Sequence, residues 1–164
     1  MKVTVRKIAF GGVIAALYAA VTIVTSSFAY GPVQFRLAEA LAVLCCFEPT
    51  AVAGVTVGCL VANLFSTVSP LDLIMGTGAT LIASLVMTRC RRAWTMIWPN
   101  VIANGVIIGL ELALVLPELP FWTGFATYGL QVALGELAVM TVLGIPLFYA
   151  LQRTDILKKT LNRA

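Results

Sequence analysis

Polar residues interrupt this chain only at intervals, and between the breaks the apolar runs are long and continuous. Runs of this kind predict buried helices; alternating apolar and polar positions would predict the strands of a barrel instead. Six runs stand out, over about 8–29, 32–47, 50–66, 71–88, 95–116 and 123–151. A helix needs about 20 apolar residues to cross roughly 30 Å of hydrocarbon at 1.5 Å per residue. Six helices therefore fill the 164 residues as one membrane domain, all-α, with no room for a soluble one.

The breaks are chemically distinct. Glu48-Pro49 marks a tight turn, Ser69-Pro70 ends the third connection, and Pro117-Glu118-Leu119-Pro120 closes the fifth run. The second run is odd, because the apolar stretch 37–47 is too short to cross. It spans only if its helix begins near Pro32, a residue suited to a first turn. That start draws Gln34, Arg36 and Glu39 into the first turns, inside the outer part of the membrane. The first run ends in Ser27-Phe28-Ala29, which resembles a signal-peptidase site. Its length exceeds a usual 7–15-residue apolar core, so it is expected to stay as a helix.

Composition agrees. Apolar residues make up 60%, charged residues 11%, and mean hydropathy is +1.00. These values exclude water-soluble, disordered and disulfide-framework classes. With both termini inside, the inner side carries Lys2, Arg6 and Lys7, then Arg89, Arg91 and Arg92, then Arg153, Lys158, Lys159 and Arg163; only Arg36 is outside. This asymmetry predicts cytoplasmic termini. It also places Trp94 and Trp98 at the inner interface and Trp122 at the outer one.

Several chemistries are missing. There is no phosphate-binding GxxxxGK[ST] loop, no HExxH and no GxSxG. Histidine is absent, so a serine or cysteine nucleophile lacks its usual base and the four cysteines cannot complete a zinc set. Cys45, Cys46, Cys59 and Cys90 read as small packing residues. Neither enzymatic activity nor a cofactor, metal or nucleic acid is expected.

Polar residues at membrane depth are costly and tend to be functional. Gln34, Arg36, Glu39, Asn63, Asp72, Asn104 and Glu111, with Gln131 and Glu136 reaching towards the middle, put nearly all of this polarity in the outer half, as a pocket open to the outside would require. Asn104 and Glu111, seven residues apart, share a helical face. Simpler roles remain open: Arg36 and Glu39 can pair three residues apart on a helix, Asn63 and Asn104 can bridge helices, and Asp72 can cap its own. Glu111 and Glu136 have no remaining intramembrane cation to neutralise them. Three glutamates against Arg36 give a net negative site, suited to a donor-rich or cationic ligand. In the first run, Gly11, Gly12, Ala15, Ala16, Ala19 and Ala20 form two small-xxx-small rows, either of which can admit another helix closely. Gly54/Gly58 and Gly105/Gly109 repeat the pattern.

The stretch Tyr30-Gly31-Pro32-Val33-Gln34-Phe35-Arg36-Leu37-Ala38-Glu39-Ala40-Leu41 resembles the signature of the QueT family of queuosine-precursor transporters. Gly58-Cys59-Leu60-Val61-Ala62-Asn63, Asn104 through Leu112, Gly135-Glu136 and Leu143-Gly144-Ile145-Pro146-Leu147 extend the resemblance along the chain. It implies a six-helix S-component, the substrate-binding subunit of an energy-coupling-factor (ECF) transporter. Such a subunit works with a transmembrane coupling protein and two cytosolic ATPases. It further implies a 7-deazaguanine ligand, preQ1, preQ0 or queuine, held by some of Gln34, Arg36, Glu39, Asn63, Asn104, Glu111 and Glu136. One carboxylate can accept both N1–H and the exocyclic NH₂ of a guanine-type edge, and Phe35, Trp122 or Tyr128 can stack on the base. By the same resemblance, Ala15/Ala19 or Ala16/Ala20 faces the coupling protein. The alternatives are a stand-alone proton-coupled carrier, an S-component for another vitamin, or a scaffold subunit without transport.

Overall fold

In lipid each peptide group must find its hydrogen bond within the protein, which favours helices. The computed structural model is all-helical over the residues it describes, 4–29 and 34–154, with the side chain of Phe28 left out. Tyr30 to Val33, Lys2, and Lys158, Lys159 and Arg163 of the tail lie outside the described residues.

Helix α1 spans Val5–Val24 and, after a break at Thr25, gains a short turn, Ser26–Ala29. Next come α2 (Leu37–Cys46), α3 (Ala51–Asn63), α4 (Asp72–Met87) and α5 (Ala93–Val115). The sixth, α6, begins as Phe121–Val139, passes a π turn at Met140–Gly144 and continues as Ile145–Thr154. All six expected runs are helical. Val5–Val24, Ala93–Val115 and Phe121–Thr154 are long and apolar enough to cross a bilayer unaided, whereas α2, α3 and α4 are shorter.

The second run departs from expectation. Its described helix begins at Leu37 and winds as a 3-10 helix. Gln34 and Arg36 therefore precede the helix instead of forming its first turns, with Arg36 at φ −79°, ψ 86°. At about 2.0 Å per residue, ten residues span roughly 20 Å against roughly 15 Å in an α-helix. Three residues per turn also align Glu39, Ala42 and Cys45 on one line, and all three are fully buried. The burial follows from position: α2 is the central helix and packs against each of the other five.

Neighbouring helices approach through glycine. A Cβ on Gly58 would stand 2.7 Å from the Ala15 carbonyl oxygen, and one on Gly54 would stand 2.6 Å from that of Gly11. The α1–α3 crossing thus depends on backbone contact. The α5–α6 crossing repeats it, since a Cβ on Gly109 would lie 2.6 Å from Gly129 Cα. Close approach of this kind supplies the dispersion energy that holds helices together where lipid removes the hydrophobic drive. Cys45, Cys46 and Cys59 are buried free thiols in the packing.

One end of the bundle collects positive charge. Lys7 Nζ lies 3.4 Å from Glu48 Oε1, and Arg91 donates to the Cys46 carbonyl at 3.3 Å. The rings of Phe47 and Phe148 lie 5.0 Å apart, which brings the last turns of α6 to the same end.

Candidate functional site

The interior is built outward from Glu39 on the central helix. Its Oε1 accepts from Tyr18 Oη of α1 at 2.5 Å and Thr80 Oγ1 of α4 at 2.9 Å, and its Oε2 accepts from Asn100 Nδ2 of α5 at 3.0 Å. A carboxylate with three donors is well satisfied even at full burial, because hydrogen bonds to charged groups are the strong ones. Glu39 thus ties three helices together at mid-bundle.

Nearer the other end, Arg36 Nη2 lies 2.9 Å from both carboxylate oxygens of Asp72, and each residue is 1% exposed. Ser66 donates to Asp72 Oδ2 at 2.8 Å, and Asn63 donates to the Asp72 carbonyl at 2.9 Å. A side chain at Gly76 would collide with Asp72 Oδ1 and Asn63 Nδ2, so glycine opens the space for this cluster. The pairing corrects two simple readings. Arg36 precedes the helix and meets Asp72 in place of Glu39, and Asp72 answers a cation instead of capping α4, which shows no side-chain cap.

The remaining polar atoms differ in kind. Both carboxylate oxygens of Glu111, Oε2 of Glu136, and the side-chain oxygens of Asn100, Asn104 and Gln131 are buried. They accept no hydrogen bond from the described residues. These six oxygens are acceptors on α5 and α6; on α3 and α4, Asn63 Oδ1 and the hydroxyls of Thr56 and Ser84 are buried in the same way. Asn100, Asn104 and Glu111 share one face of α5, as the expected pairing of Asn104 with Glu111 requires, and Asn104 Nδ2 bonds back to the Asn100 carbonyl at 3.2 Å. Gln34 is buried against α6, where a Cβ on Gly135 would come within 2.5 Å of its backbone oxygen. That contact sets Gln34 beside Glu136. All seven expected residues, Gln34, Arg36, Glu39, Asn63, Asn104, Glu111 and Glu136, are buried.

With Arg36 answered by Asp72, the negative charge of the interior falls to the glutamates. Buried acceptors carry a desolvation cost that only a donor offsets. The arrangement can therefore bind a molecule rich in N–H groups or bearing an ammonium. Among the described residues no group of three Cys, Asp or Glu side chains is placed to hold a metal ion. Of the proposed stacking residues, Tyr128 is buried, Phe35 is partly exposed, and Trp122 faces outward at 76% exposure.

Tyr18, Asp72, Thr80 and Asn100 belong to this network and were not among the residues expected in the site. Two signals carried Asp72, Thr80 and Asn100, and none marked Tyr18. Asp72, Gly76, Thr80 and Ser84 form a four-residue-spaced row of small and polar residues in an apolar helix, and Asn100 lies one turn from Asn104 on the same face.

The two small-residue rows of α1 are not equivalent. Ala15 backs onto Gly58 of α3 and Ala19 is buried, whereas Gly12, Ala16 and Ala20 are exposed.

Comparison with known proteins gives the family. A stretch of 72 residues is 36% identical to the queuosine precursor transporter QueT of Lactococcus lactis subsp. cremoris (strain MG1363). It covers 43% of this chain and 42% of that protein, so the match spans less than half the length of the relative. No solved structure matches the chain. The QueT transporter profile matches residues 8–153, which reaches every helix just described, and this multi-pass membrane protein belongs to the QueT transporter family.

Proposed function

We propose that this chain is the substrate-binding S-component of an ECF transporter and takes up a 7-deazaguanine queuosine precursor: preQ1, preQ0 or queuine. The observation that carries the reading is the set of buried acceptors on α5 and α6. A guanine-type edge offers N1–H and an NH₂ side by side, which one carboxylate accepts as a pair. Glu111, with both oxygens unengaged by the described residues, suits that role. Glu136 suits the aminomethyl cation of preQ1, with Asn104 and Gln34 beside the base. Arg36, Glu39 and Asn63 shape the site, Arg36 and Glu39 through the ion pair and the three-helix junction.

In this reading the basic end faces the cytoplasm of a prokaryotic cell, following the positive-inside rule. The exposed row Gly12/Ala16/Ala20 supports a contact with the transmembrane coupling protein, while Ala15 and Ala19 serve the bundle. Two cytosolic ATPases energise transport, since the chain has no phosphate-binding loop of its own.

The test is calorimetric titration of the purified protein in detergent with preQ1, preQ0, queuine and guanine. Tight binding of a deazapurine without any ATPase supports the reading, and no binding of any of the four by folded protein removes it. The uncompensated carboxylates also suit a stand-alone proton-coupled carrier. That carrier would transport without an ATPase partner and stop when the proton gradient collapses.

A further inference from the structure

A second site lies on the membrane-facing side of α4 and α5, away from the acceptors. There the two helices splay into an apolar groove of about 500 Å³. Ile82 and Val86 form one wall, Trp98, Ile102 and Val106 the other, and Ala83 and Pro99 lie between them. From Thr95 to Ile107 the groove runs about 18 Å at 1.5 Å per residue. That is close to the depth of one leaflet, half of roughly 30 Å.

The mouth of the groove is charged. Cys90 and Thr95 line it, and Arg89, Arg91 and Arg92 are their chain neighbours in the α4–α5 connection. All three arginines are exposed, and Arg91 also holds the Cys46 carbonyl. Glu48, the carboxylate described at this end, is taken by Lys7. Trp94 and Trp98 are 67% and 55% exposed beside the mouth, where amphipathic rings favour the headgroup level. Pro99 shapes this end of the groove: lacking an N–H, it leaves the Thr95 carbonyl without its helical donor, and the Cys90 thiol donates to it at 3.4 Å.

From this geometry we infer a bound anionic phospholipid, with one acyl chain in the α4–α5 groove and its headgroup phosphate on Arg89 and Arg92. Charge complementarity selects the occupant: basic clusters beside interhelical grooves attract anionic headgroups. A transmembrane helix of another protein fits less well. Helices dock on small-residue rows, and the walls here are branched and aromatic.

The test uses the full chain with Trp94→Phe and Trp122→Phe, leaving Trp98 as the sole tryptophan. The protein is reconstituted into vesicles of brominated phosphatidylglycerol or brominated phosphatidylcholine, each diluted in unbrominated phosphatidylcholine. The expected result is severalfold stronger Trp98 quenching by the anionic lipid at equal mole fraction. The preference should vanish in R89Q/R92Q and persist in R153Q, which removes a charge from α6 instead. A103F, which fills the groove with the arginines intact, should abolish it too. Equal quenching by the two lipids, or equal loss in R153Q, would overturn the site in favour of a diffuse surface potential. Protection of Trp98 from both lipids in a dimeric protein would overturn it in favour of a second copy of this chain.

Discussion

Arg36 and Asp72, 36 residues apart, meet as a fully buried ion pair in which one guanidinium nitrogen reaches both carboxylate oxygens at 2.9 Å. The pair joins the residue just before α2 to the first turn of α4. It also decides the electrostatics of the interior. By answering Arg36, Asp72 leaves the buried glutamates of α5 and α6 without that cation as a partner.

Removing one partner of a buried pair strands the other charge, at a cost of about 3–5 kcal/mol. Asp72→Asn should therefore lower the unfolding transition in detergent markedly. The double variant Asp72→Asn with Arg36→Gln should recover much of the loss. Thermal unfolding of the three proteins checks this, and a single variant as stable as the parent would mean that the charges are not desolvated.

Tyr18 supplies one of three donors to Glu39, so Tyr18→Phe should destabilise by about 1.5–3 kcal/mol, as for a lost hydrogen bond to a charged group. Glu39→Gln should cost more, because it removes the charge from all three contacts. A denaturation series on both variants tests the ranking, which a reversed order would contradict.

Glu111→Gln and Glu136→Gln should each weaken ligand binding by at least about 1.5 kcal/mol, roughly tenfold, without lowering stability. Each carries at least one buried oxygen that accepts no hydrogen bond from the described residues. Calorimetry beside a thermal melt separates the two effects, and unchanged affinity in both variants would remove these residues from the site.

Gly109→Leu should abolish monodisperse protein, since the added Cβ would meet the Gly129 backbone at 2.6 Å and a backbone cannot step aside cheaply. Gly12→Leu has nothing within 4 Å of its Cβ and should fold normally. Size-exclusion profiles of the two variants decide the point.

The rows of α1 should separate in function. Ala16→Leu, on the exposed row, should impair transport and spare binding. Ala19→Leu, on the buried side, should lower stability. Transport retained in the Ala16 variant would count against this face as the docking surface.

Runs of apolar residues were enough to establish six helices, because hydrocarbon leaves the backbone no other way to pair its polar groups. The same local rules made Glu111 and Asn104 legible as one face, and the scarcity of ionisable residues made Glu136 conspicuous. What remained hidden was pairing at a distance. The partners of Glu39 lie on three other helices, and a residue such as Tyr18 carries no local mark of its role. Asp72 at a helix start has the local form of a cap, and only the fold brings Arg36 to it. The small-residue rows were visible too, but their spacing alone treats them alike. Tertiary packing against Gly54 and Gly58 turned one row inward and left the other outside. Periodicity places a side chain on a face; only the assembled bundle decides what that face meets.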